Sequence, residues 1–281
     1  MKAFARLVAE RNPNGRTVIR EMRSAAPLTL VPARGARSDA HALVHLVSSI
    51  TAPLGGDELE LRITVGPGAA LVLRGVAATV ALPGHRPGGS RSRVLLEVAE
   101  GGSVEHLPEP TVVTARADHE AVLEAELAEG ARLRAREVLV LGRLGERPGR
   151  LTTTTSVRRG GPLLRQSLTI GDERGGPDTV DTSPAGLAGR RVIGAEVLCW
   201  GEDPAGPVSG DWWSLVPLAR GGSLATALGD TVIEVERALT GACGSHPGSS
   251  ELLTRSRARF RADGHTLRVR SHRPGGSAQD R

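Results

Sequence analysis

Residues 63–73 read ITVGPGAALVL, residues 96–107 read LEVAEGGSVEHL, and residues 125–135 read AELAEGARLRA. Each stretch is an apolar strand pattern, a short glycine-bearing turn and a second strand pattern. The turn glycines, Gly68, Gly101 and Gly130, recur at spacings of 33 and 29 residues. Glycine suits such corners because it reaches positive φ without a Cβ clash. A recurrence of this kind predicts strand pairs stacked in a solenoid-like array, or a large two-sheet β body.

Period-two alternation extends outward from these corners. In DELELRITV (57–65), Leu59, Leu61, Ile63 and Val65 share one face while Glu60 and Arg62 share the other, as a half-buried strand requires. Segments 93–107 and 122–143 alternate in the same way. Further strands are predicted at 16–22, 41–49, 152–158, 163–170, 191–200 and 266–272. One helix is predicted at 224–242, where Leu224, Leu228, Val232, Val235 and Leu239 trace a stripe. Segments 84–92, 171–178, 201–211 and 244–250 read as flexible connections. Without a sharp composition break, residues 1–281 are expected to form a single, mainly β domain. One or two helices lie toward its C-terminal part, and a basic tail covers about 273–281.

Composition removes several kinds of chemistry. Lys2 is the only lysine among 36 basic residues, so a P-loop and Schiff-base catalysis are both excluded beyond residue 2. The net charge of +5 conceals a polarity. Residues 1–37 carry eight basic and two acidic side chains, and residues 251–281 carry eight and three. The middle of the chain therefore holds 20 basic against 26 acidic residues. Basic ends on an acidic body suit docking to proteins better than a nucleic-acid groove, which needs a basic face with stacking aromatics. Aromatics make up only 2% of the chain. Charges interrupt the N-terminal stretch where a secretory core would be apolar, and no apolar run is long enough to span a membrane. Cys199 and Cys243 form no C-x-x-C pair, so a cytoplasmic chain with reduced thiols and no membrane partner is expected.

No nucleophile elbow, dinucleotide loop or structural-zinc spacing is present. His41 and His45 in HALVH lack the glutamate of a metalloprotease helix and read better as strand residues. Trp212 and Trp213 read as core or interface anchors. The stretch VEHLPEPTVV (104–113) gathers Glu105, His106 and Glu109 around Pro108 and Pro110. The prolines end one strand and stiffen an extended connection into Thr111, which leaves Glu105 and His106 at a strand end facing a cavity. An alternative is a carbohydrate-active enzyme on a β-solenoid, pairing Glu105 with Glu109 or Asp118. It lacks the aromatic platforms that sugar clefts use. Another is an unrelated β-rich assembly protein.

The ordered series GGD at 55–57, GPGA at 66–69, VAAT at 76–79, GGSVEHLPEPTVV at 101–113, EVLVLGRLGE at 137–146 and GGPLLRQSL at 160–168 resembles the urease accessory proteins of the UreD type, called UreH in some organisms. Val76 stands where that family often has glutamine, and Gln166 where an acidic residue is common. The motif residues carried by the resemblance are Gly56, Asp57, Pro108, Pro110, Glu137, Gly142, Arg143 and Glu146. The resemblance implies a UreD-like, non-enzymatic β scaffold. It would bind apo-urease subunits and a UreF-type accessory protein, and through the latter a UreG-type GTPase. Its implied role is nickel delivery to the urease active site, with no tightly bound cofactor. Ni²⁺ would be held only transiently along an internal passage, for which Glu105 and His106 are the candidate lining residues.

Overall fold

The three corner glycines take up φ of 61°, 64° and 66°, and the corners they form repeat one set of hydrogen bonds. Within the corners, the N–H groups of Ala69, Gly102 and Ala131 donate to Gly66, Ala99 and Ala128 at 3.1, 2.9 and 3.1 Å. Between corners, Ala99 N–H donates to Val65 O and Ala128 N–H to Val98 O, both at 2.9 Å. The sequence repeat is thus a structural repeat, three turns stacked along one edge of the molecule.

The computed structural model describes residues 1–33, 41–85, 88–171, 183 and 186–251. Four strands open it: β1 (Lys2–Arg11), β2 (Thr17–Arg23), β3 (Leu28–Pro32) and β4 (Ala42–Ser48). The first corner joins β5 (Glu58–Val65) to β6 (Ala70–Gly75), and the short β7 (Thr79–Ala81) follows. The second joins β8 (Ser90–Val98) to β9 (Ser103–Leu107), followed by β10 (Thr111–Val113). The third joins β11 (Asp118–Leu127) to β12 (Arg132–Leu141). Next come β13 (Arg150–Arg158), β14 (Pro162–Ile170) and β15 (Val192–Cys199). Finally β16 (Val208–Gly210), β17 (Trp213–Pro217) and β18 (Ser223–Gly229) lead into α1 (Val232–Gly244).

Two sheets result. A seven-stranded sheet runs β14-β13-β11-β8-β5-β1-β2, and an eleven-stranded sheet contains the path β16-β17-β18-β15-β12-β9-β6-β4-β3, with β10 and β7 joined beside β12. The corner strands pair in parallel from rung to rung, β5 with β8 and β8 with β11 in the first sheet, β6 with β9 and β9 with β12 in the second. Antiparallel strands then extend the second sheet through β15, β18 and β17. The solenoid-like array and the two-sheet body are therefore one object. Leu7, Leu61, Ile63, Leu96 and Val157 of the first sheet pack against Leu71, Leu73, Val104, Leu133 and Val197 of the second. Each such side chain contributes about 1.5–3 kcal/mol on burial.

The other face of the larger sheet is covered by α1, which buries Val235, Leu239, Ala242 and Cys243 against Val192, Leu198, Trp200 and Leu215. Gly194 on β15 permits that approach, because a Cβ there would lie 2.8 Å from Leu239 Cδ1. The helix begins later than its stripe predicts. Residues 223–229 form β18, and Thr231 starts α1 with a capping box closed by Glu234. Leu224 and Leu228 are four apart, a spacing that satisfies a strand face and a helix face alike, so the stripe ran two elements together. Helical backbone resumes at 249–251.

One strand lies outside the sequence-based expectations, and two expected connections are corrected. Lys2–Arg11 is a strand inside the smaller sheet, its inward side chains being Ala3, Ala5, Leu7 and Ala9. Residues 90–92 belong to β8, and 208–210 to β16, rather than to flexible connections. The strand predicted at 266–272, the tail at 273–281 and all but Gly171 of the 171–178 segment lie outside the described residues. None of the described helices is long and apolar enough to cross a membrane.

Candidate functional site

The two sheets do not close on each other along their whole width. One cavity of about 200 Å³ lies between them and is lined by His106, Pro108, Glu109 and Thr111 from the larger sheet's side and by His119 and Leu123 from the smaller. A second, of about 380 Å³, is lined by Thr153, Leu168, Ile193, Ser214, Thr226 and Trp212. Glu137, Thr155, Gln166 and Ala195 line both. These four residues form the boundary, or neck, between two adjoining cavities, one on the β14 and β17 side of the sandwich and the other reaching Leu46 and Ser48 on β4.

Glu137 spans the neck. Its two carboxyl oxygens accept the Thr153 hydroxyl at 2.8 and 2.9 Å, linking β12 of one sheet to β13 of the other. Burial raises its pKa, and the Thr153 hydrogen bond only partly opposes this. His106 is 5% exposed, and its Nδ1 has no hydrogen-bond partner. His119 Nδ1 lies 2.8 Å from Ser90 Oγ. Burial pushes both imidazoles down to about 4, so each is a neutral nitrogen base at neutral pH, the form that binds a metal ion. Among the described residues, no group of three or more His, Cys, Asp or Glu side chains is arranged to hold a metal ion. The polar groups are spaced along the gap instead.

Glu105 is not among the residues lining either cavity. Adjacent strand residues point to opposite faces, so β9 sends His106 between the sheets and Glu105 to the α1 side. There Glu105 meets Arg134 at 3.3 Å; Arg134 meets Glu196 at 2.5 Å; and Arg136 meets Glu196 at 2.6 Å. The Cys243 thiol of α1 donates to Glu196 Oε1 at 3.1 Å. Burial disfavours charge on Glu196, but the guanidiniums of Arg136 and Arg134 outweigh it and hold its carboxyl below the usual range. Burial likewise disfavours the Arg134 charge, and Glu196 and Glu105 overcome it. Burial and the Glu196 carboxylate push the Cys243 thiol up. This ladder braces the sheet beneath the helix.

The remaining motif residues are turn supports. Asp57 is buried; it accepts from the Met1 ammonium at 2.7 Å and from Leu54 N–H at 2.9 Å, with Gly56 beside it at φ 81°. Gly142 has φ 73°, and Glu146 closes the same turn by accepting from Arg143 N–H at 3.0 Å. Pro108 and Pro110 separate β9 from β10. Glu109 borders the smaller cavity, whereas Asp118 lies 4.0 Å from Arg150 with both side chains partly exposed. Among the described residues, Glu105, Glu109 and Asp118 therefore do not line either of these cavities together. HALVH supplies the strand β4, as expected. Sequence reasoning missed His119, Thr153, Arg134 and Glu196, whose partners lie far away along the chain. Only the register of the sheets brings them together.

The two neutral histidines set a pH dependence. Unfolded, they titrate near 6.5; folded, near 4. Between those values the unfolded chain binds more protons, so stability falls as pH drops from 6.5 toward 4. The slope is up to about 1.4 kcal/mol per pH unit for each histidine. Glu137 acts in the opposite sense, since its raised pKa favours the folded state only while it is protonated. Melting temperature followed over this range should fall less steeply in a His106→Gln/His119→Gln variant than in the unaltered chain. Equal slopes would contradict the assignment.

A model of the family described as UreD urease accessory protein matches residues 1–263. The chain is 55% identical over 258 residues to the Saccharopolyspora erythraea protein named Urease accessory protein UreD 1, covering 91% of this chain and 99% of that one. It is 39% identical over 277 residues to Urease accessory protein UreD of Frankia alni, covering 85% and 91%. Over 250 residues it is 38% identical to the protein of the same name from Streptomyces coelicolor, covering 87% and 96%. With that match spanning the described fold and its glycine corners, the chain belongs to the UreD family of urease accessory proteins.

Proposed function

We propose that this chain is a non-catalytic scaffold of urease maturation that lets Ni²⁺ cross between its two sheets. The role in urease maturation follows from its family. In the fuller reading it binds apo-urease subunits and a UreF-type accessory protein, and reaches a UreG-type GTPase through the latter. The observation that carries the passage is the pair of adjoining cavities that share Glu137 in their linings. Imidazole nitrogen and carboxylate oxygen suit divalent nickel. His106, His119 and Glu137 present them singly, so the ion is held weakly enough to move on. Glu105, paired through one carboxyl oxygen with Arg134 on the other face of β9, braces the strand that carries His106.

Glu137→Gln tests this reading, because it keeps the shape and the Thr153 hydrogen bond but removes the ionisable oxygen. Tagged chain produced alongside urease should still capture urease subunits and the accessory partners. Urease activity at limiting nickel is expected to fall at least tenfold. Full activation would reject passage past Glu137, and a wild-type capture without urease subunits would reject the scaffold.

A further inference from the structure

Trp212 occupies a backbone position that its side chain does not favour. It is the second residue of the Asp211–Trp212 connection between β16 and β17, and its φ is 62°. Glycine or asparagine is the usual occupant of the left-handed region, because a Cβ crowds the following carbonyl there. The indole does not repay that strain by filling the core, for Trp212 is 48% exposed. Its neighbour Trp213 is the one that packs toward the α1-side core. Strain kept at a position with a simple local remedy points to a role for the side chain itself.

The surroundings indicate the role. Trp212 lines the larger cavity, which Glu137 also lines. The Arg190 guanidinium stands over the indole at 4.1 Å from a ring centroid, and Arg190 is ion-paired with Asp230. The Trp212 carbonyl accepts from Leu228 N–H at 2.9 Å, tying the turn to β18. The backbone is thus fixed, while the half-exposed ring of this cavity-lining residue stands under a clamp of one cation and one carboxylate. That clamp is partly exposed, with side-chain exposures of 26% for Arg190 and 54% for Asp230, and such pairs are readily broken.

We infer that Trp212 is the gate of the inter-sheet passage, held shut by the Arg190–Asp230 pair and opened when that pair is drawn away. The gate rests on the reading of the gap as a route for cations. The stacked guanidinium shows that the indole face at the mouth already accepts a cation. Releasing Arg190 would free that face at the moment the route opens.

The test reads access to the interior and uses no nickel. Gln166→Cys introduces a thiol at the neck, and a small thiosulfonate reagent modifies it. Peptide mass separates that site from the buried Cys199 and Cys243. Adding Trp212→Gly should raise the modification rate at least tenfold while leaving the melting temperature equal or higher, since glycine relieves the turn. Arg190→Ala should raise the rate by a smaller factor. A rate unchanged within twofold in both variants overturns the gate. So does a faster rate accompanied by a lower melting temperature, because the ring would then be holding the fold and not the mouth. A gate confirmed in this way would stand even if Glu137→Gln left nickel loading intact, so the two readings fail separately.

Discussion

Arg134→Met is expected to destabilise the fold by about 3–5 kcal/mol, the usual result of removing one partner from a buried ion pair. In a domain of this size that lowers the melting temperature by roughly 10 °C. The reason lies in what would be left behind. Glu105 and Glu196 are 1% and 0% exposed, and Glu105 Oε1 already has no hydrogen-bond partner. Without the guanidinium, Glu105 would lose its ion-pair partner and Glu196 would keep only Arg136. Methionine preserves much of the volume, so the loss reports charge more than packing. Adding Glu105→Leu to Arg134→Met should then recover part of the stability, because it removes the stranded carboxylate. Thermal melts of the two variants decide the matter. A double variant less stable than the single one would show that the ladder is not what holds β9 to β12.

Ala195→Phe is expected to abolish most urease activation while leaving the chain folded. Ala195 is the cross-strand neighbour of Glu137 and lines both cavities, so a ring at that position fills the neck. Over-packing of this kind costs about 1–3 kcal/mol, which lowers the melting temperature without unfolding the chain. Urease activity in cells making the variant should fall at least tenfold relative to cells making Thr154→Phe. Thr154 is the matching surface control, since its hydroxyl lies on the outer face, 3.0 Å from Ser167 Oγ.

Much of the fold was legible because its repeat is local. The alternation of 57–65 and the glycine corners specify a strand, a left-handed residue and a second strand without reference to anything distant. Stacking is the one arrangement that buries all three pairs. The N-terminal strand escaped notice because three of its four inward side chains are alanines, so its alternation carries little hydrophobic contrast. The helix was overextended because Leu224 and Leu228 fit both periods.

The site was legible only in part, and for a different reason. Glu105 and His106 are adjacent in sequence and lie on opposite faces of one strand, so proximity along the chain was misleading. Glu137 was picked out as a motif residue, but its partner Thr153 lies on the other sheet. His119 and Ser90 are 29 residues apart and meet because β11 and β8 pair in parallel. Such pairs depend on register, which alternation alone does not specify.

The most direct test of the passage is the nickel content of urease purified from cells that make the Ala195→Phe chain. The capture of urease subunits by that chain should match the Thr154→Phe control. The account predicts intact capture with less than about a tenth of the control's nickel per active site, the factor expected of a blocked neck. Equal nickel in the two preparations would contradict it, and would mean that the ion does not travel between the sheets.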